Sequence, residues 1–234
     1  MNRIRRWVKG GGFTLIELLV VVAIIGLLMA LVLPALGRAQ LRARVTATTS
    51  NARSIVQMIT AAETTSGLYS AGVSVWPSKG GGGAVSNSFQ TSTDYFKNNM
   101  GTMGTFEGTT PGFFAADRII AARDTNTFLE ANNAWVMVAG IGDAFPVTAP
   151  AVFTRNLRIT TLGQAIGQDS IGRVDLASDT TTDARVFSNR AFVFATRGAA
   201  GYSLLERDLL IPQFTNLFNR VDATGLLNND LLRP

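Results

Sequence analysis

The sequence predicts an α+β protein in which a long N-terminal helix, membrane-spanning in its first half, packs on a small antiparallel β-sheet domain. Three observations lead there. Residues 18–33, LLVVVAIIGLLMALVL, carry no charge. A helical apolar spacing persists beyond them at Leu41, Val45, Ala52, Ile55, Val56 and Ile59. Later runs rich in β-branched and aromatic residues, set between glycine-rich and polar stretches, read as strands. With 234 residues, 47% of them hydrophobic, the chain can build one ordinary domain and still carry a substantial apolar segment outside it.

The apolar segment comes first. Starting from Phe13, only Thr14 and Glu17 interrupt it, and Phe13 to Leu33 spans ~31 Å at ~1.5 Å per helical residue. That matches a bilayer's hydrocarbon core, ~30 Å thick. Arg3, Arg5, Arg6 and Lys9 precede it, and the positive-inside tendency keeps such a cluster cytoplasmic and sends the rest of the chain across. An ordinary secretory signal is the alternative, with Ala35-Leu36-Gly37 as its cleavage site. Against it, the run is longer than a signal core, and Glu17 sits where a signal needs no carboxylate. An acid inside hydrocarbon costs about 2.5 to 3.5 kcal/mol on insertion scales, so its presence points to a function and to a cationic partner. Cleavage just before Phe13 would supply one, as a new α-ammonium group on a neighbouring subunit.

The stretch GGGFTLIELLVVVAIIGLLMALVLPAL, Gly10 to Leu36, resembles the N-terminal motif of type IV prepilins and type II secretion pseudopilins. The resemblance implies that a membrane prepilin peptidase cuts after Gly12 and methylates the new N-terminus, Phe13. It implies that Glu17 registers each subunit through its neighbour's α-amino group, that Pro34 is a helix-kinking proline, and that the head is pilin-like. The partners it implies are sister pilin or pseudopilin subunits, the prepilin peptidase and an inner-membrane assembly platform. The place it implies is the bacterial inner membrane, single-pass, with a cytoplasmic N-terminus and a periplasmic head, and afterwards an extracytoplasmic filament. The residues themselves leave some choices open. Gly12 exposes its backbone to a peptidase cleft or belongs to a flexible Gly10–Gly12 spacer. Pro34 bends the helix or ends it. Gly26 has no GxxxG partner.

The expected organisation is a leader at 1–12, a transmembrane helix segment at 13–33, its periplasmic continuation at 34–65, and a globular head at 66–234. Gly67 is the expected helix terminator. Arg38, Arg42, Arg44 and Arg53 form a basic face that meets lipid phosphates, acidic neighbours or solvent. Pro77–Asn87, with its four consecutive glycines, reads as a loop; it lacks the Gly-Lys-Ser/Thr that a phosphate-binding loop requires. A short helix is expected over Ser92–Met100, closed by Gly101, and Thr110-Pro111 should open another carrying Phe113, Ala116 and Ile120. Strands are expected at Trp135–Ala139, Val152–Ile159 and Val186–Thr196. Ser203-Leu204-Leu205-Glu206 has the pattern of a capping box opening a helix that Pro212 interrupts. Leu209, Leu210, Phe214, Leu217, Phe218 and Val221 make an apolar ridge, read as core.

Composition removes most chemistry. The formal charge is +5, but from Ser66 onward 13 basic residues face 14 acidic ones, which disfavours nucleic acid as a partner of the head. There is no cysteine and no histidine, so thiol nucleophiles, imidazole bases and the usual zinc sites are excluded. Neither Ser170 nor Ser203 lies in a GxSxG or SxxK arrangement. No catalytic residue and no cofactor are expected. Asp169, Asp175, Asp179 and Asp183 are weak candidate calcium ligands by the resemblance, but they match no EF-hand and read better as solvated loop acids. The expected function is a non-enzymatic filament subunit, a type II secretion pseudopilin first. A type IV pilus pilin, major or minor, and a signal-anchored extracytoplasmic binding domain are the alternatives.

Overall fold

A computed structural model describes residues 13–69, 75–79, 88–100, 104–141, 145–162, 172–177, 181–205, 208–212, 214, 218 and 230–234. Gly12, the Gly80–Gly83 run, Gly101, Asp169, Ser170, Asp179, Glu206, Leu217 and Val221 lie outside the described residues. The chain divides into two compact units, Met1–Ala43 and Arg44–Pro234.

One helix, α1 (Leu15–Tyr69), continues from the first unit into the second. Pro34 lies inside it, so the span does not end there. Gly67 also lies inside it, two residues short of the end, and is not the terminator the sequence suggested. In the first unit every described side chain to Gln40 is exposed. In the second unit, Val45, Thr48, Ala52, Ile55, Val56 and Ile59 are buried, the i, i+3, i+4 stripe of a helix lying on a core. Thr48, Thr49, Thr60, Thr64 and Thr65 each donate a hydroxyl to the carbonyl four residues back, which accommodates threonines within a helix.

The head carries a five-stranded antiparallel sheet made of β3 (Trp135–Val138), β4 (Pro150–Thr154), β5 (Ala191–Thr196), β6 (Gly201–Leu205) and β7 (Leu231–Leu232). Their spatial order is β6-β5-β4-β3-β7. Two-residue strands β1 (Ser78–Lys79), inside the stretch expected as a loop, and β2 (Ser88–Phe89), just after it, pair in parallel. Helix α2 (Ser92–Asn99) follows, capped by the Thr91 side chain on the Asp94 amide. A four-residue helix α3 (Thr182–Arg185) precedes β5. Every residue of β3, β4 and β5 is buried, as in a sheet covered on both faces.

Several expected boundaries shift. Pro111–Phe114 is one 3-10 turn rather than a helix reaching Ile120, and Ile120 is exposed. The second strand stops at Thr154, since Arg155 and Asn156 form a turn. Strand β5 starts at Ala191, because Phe187 and Ser188 have positive φ and break the extended run. Ser203–Leu205 lies in β6, paired with Ala191–Val193, and opens no helix. The ridge is core where described: Leu209, Phe214 and Phe218 are buried. Phe192 and Phe194, two apart and hence on one face of β5, meet Phe218 at 5.5 and 5.0 Å between centroids. A second aromatic cluster, Tyr95, Phe96, Phe106, Phe114 and Phe128, sits around α2. Burial also raises the Tyr95 phenol well above its usual range, so it remains a neutral donor to the Val75 carbonyl.

The helix is fixed to the head by named contacts. Arg44 Nη1 lies 2.9 Å from Asp117 Oδ1, and the Asn51 amide donates to the Phe113 carbonyl. Glu63 accepts from Trp76 Nε1 at 3.0 Å. At Gly201 the close approach of α1 excludes a side chain, because a Cβ there would collide with the Arg53 methylenes and lie 3.0 Å from the Thr49 methyl. Asp117 itself has φ +49 and a buried carboxylate, and its Oδ2 accepts from the Phe187 amide at 3.1 Å. One acid thereby holds the helix and the strained turn before β5.

Candidate processing and assembly site

Phe13 and Thr14 lead directly into α1, and both are exposed. The Leu18 amide donates to the Thr14 carbonyl, which makes Thr14 the N-cap and Glu17 the third helical residue. The Thr14 hydroxyl accepts from the Glu17 amide at 3.3 Å, and Glu17 Oε2 accepts from the Thr14 amide at 2.8 Å and from its hydroxyl at 2.7 Å. This reciprocal pairing is a capping box. The sequence carries its pattern, Thr-x-x-Glu before an apolar run, so the carboxylate has a partner within its own chain besides the cation that an intramembrane acid calls for. Within one chain the acid also offsets orphan amides and the positive end of the helix dipole. Both contacts to the carboxylate use Oε2, which leaves Oε1 without a hydrogen bond among the described residues.

The segment after the cap is apolar all around. Its mean hydropathy reaches 3.0 over an 18-residue window, none of which is buried inside the protein. Seventeen large apolar side chains between Phe13 and Leu36 are exposed, by 44% to 81%. Leaving them in water forfeits on the order of 20 kcal/mol, taking ~1 kcal/mol for each half-exposed side chain. That exceeds the ~5–15 kcal/mol by which a domain is folded. A helix apolar on every side belongs in lipid or among other helices. Apart from its chain neighbours and the backbone of its own helix turn, no atom of the described residues lies within 4 Å of where a Cβ at Gly26 would sit.

The remaining candidates fall elsewhere. Asp183 lies between two guanidinium groups: Oδ1 is 2.5 Å from Arg155 Nε and Oδ2 is 2.7 Å from Arg233 Nη2. A calcium ion at Asp183 would have to displace both. The Asp175 carbonyl accepts from the Arg158 amide. Among the described residues, no group of three or more His, Cys, Asp or Glu side chains is placed to hold a metal ion.

An apolar N-terminal helix continuing into an α+β head with a five-stranded antiparallel sheet is a pilin-like layout, and the exposed apolar segment fits a membrane-anchored protein. Residues 9–33 match the family model described as the prokaryotic N-terminal methylation motif, which supports a type IV prepilin-like family. No curated protein and no solved structure matches the chain.

Proposed function

We propose that this chain is a structural subunit of a type IV pilin-like filament, with a type II secretion pseudopilus as the machine it serves. The observation that carries this reading is the methylation motif over residues 9–33, placed on a helix start whose carboxylate has one oxygen to spare. Prepilin peptidase cuts after Gly12, and Phe13 becomes a methylated N-terminus. Glu17 then serves two ends at once. Its Oε2 keeps the capping box within the chain, and Oε1 accepts the α-ammonium group of a neighbouring subunit. Pairing of this kind, formed away from water, is a charge-assisted contact worth more than the same pair in solvent. The apolar helix holds the subunit in the inner membrane until assembly, when sister helices replace lipid around it.

Glu17→Gln tests the pairing. Glutamine retains the side-chain shape and an acceptor oxygen for the Thr14 amide but lacks the charge. Processing after Gly12 and membrane insertion should persist, while the sheared polymer fraction should drop at least tenfold. Normal polymer at normal processing would remove the pairing from the account.

A further inference from the structure

We infer that Arg38 and Arg42 form a binding site for anionic phospholipid headgroups in the leaflet on the head-domain side of the membrane. The inference rests on the membrane reading of α1. Between Glu17 and Glu63 the chain has four arginines and no acidic residue, so none of the four can pair within the helix at i±3 or i±4. Two are committed to the head. Arg44 pairs with Asp117, and the Arg53 methylenes lie against Gly201. Arg38 and Arg42 are exposed and make no ion pair or hydrogen bond among the described residues.

Position selects the partner. With Leu33 at the end of the hydrocarbon span, Arg38 lies ~7.5 Å and Arg42 ~13.5 Å further along the helix. The headgroup layer extends ~5–7 Å beyond the hydrocarbon on each side. Side chains on a helix lean toward its N-terminus, which for α1 is the membrane side, so both guanidinium groups tilt back toward that layer. The pair is spaced i, i+4 and lies on one side of the helix. Guanidinium groups take phosphate oxygens in a two-pronged fashion, and Pro34, Ala35 and Ala39, three or four residues back on the same face, offer apolar surface for their stems. Each basic residue near an anionic surface strengthens binding ~5-fold, so the pair is worth ~25-fold.

The processed chain beginning at Phe13, which lacks the basic leader residues Arg3, Arg5, Arg6 and Lys9, is purified in a mild nonionic detergent and titrated with phosphatidylglycerol or phosphatidylcholine, and bound lipid is counted by native mass spectrometry. Flotation with phosphatidylcholine vesicles tests the membrane reading separately. The expected result is flotation together with a phosphatidylglycerol preference of roughly 25-fold. Circular dichroism checks that the R38Q/R42Q variant keeps its fold; it should still float but show less than a threefold preference, and R38K/R42K should retain most of it. Equal affinity for the two lipids, or a preference unchanged in R38Q/R42Q, would overturn the inference and leave the membrane reading intact. So would loss of cross-linked oligomer in R38Q/R42Q with the lipid preference retained, because the arginines would then meet acids of a second copy. Failure to float removes the membrane reading and this inference together.

Discussion

Two short sequences with the same pattern illustrate what single residues can and cannot say. Thr14-x-x-Glu17 and Ser203-x-x-Glu206 both have the form of a capping box. The first is one, at the start of a 55-residue helix; Ser203 instead lies in an edge strand held by β5. Local propensity decides where nothing else competes, and a strand partner overrides it. Glu17 stands out in the sequence from its place in the apolar run, and its pairing with Thr14 needs only residues three apart. Asp117 and Asp183 do not stand out, because their partners are far away in sequence: Arg44 is 73 residues from Asp117, and Arg155 and Arg233 are 28 and 50 from Asp183. Arg233 also donates to the carbonyls of Arg155, Leu157 and Ile159, closing the C-terminal strand onto the turn after β4. Asp183→Asn should therefore leave two partly buried cations without their counter-ion. A loss of about 2–3 kcal/mol is expected, below the ~3–5 kcal/mol of a fully buried pair because all three groups retain some exposure. Urea unfolding of the head measures it, and a loss under 0.5 kcal/mol would show the network to be dispensable.

Elements were more legible than their ends. The periodic stripe from Val45 to Ile59 and the Phe192-Val193-Phe194 run each produced the element expected of it, since long periodic patterns report burial directly. The boundaries depended on tertiary detail. Positive φ at Phe187 delays β5, and helix α1 ignores Gly67. The seam between α1 and β6 is the contact on which the helix's place in the head depends most visibly. Gly201 has no room for a branched side chain against Arg53 and Thr49. Gly201→Val should force the two elements apart and cost about 1–3 kcal/mol, as overpacking does in a closed seam. Thermal unfolding of the variant checks this, and an unchanged midpoint would mean that the Arg53 stem simply moves aside.

At the scale of the whole molecule, α1 serves two environments with one helix. Its first part is apolar all around, and its second part supplies six buried side chains to the head. A fragment of residues 44–234 should accordingly fold as a soluble domain with a single cooperative transition. A fragment of residues 66–234 lacks Val45, Ala52, Ile55, Val56 and Ile59 and should be less stable by at least ~5 kcal/mol, given ~2–5 kcal/mol for each large core side chain lost. Equal midpoints in calorimetry would show that the helix is an appendage rather than part of the core. In the proposed function this chain is processed and polymerised as a prepilin-like subunit. Mass spectrometry of the N-terminal peptide from membranes of cells that make the protein tests it most directly. The account predicts a mature chain beginning at Phe13 with its α-amine methylated; an intact Met1, or a chain beginning at Arg38, would contradict it.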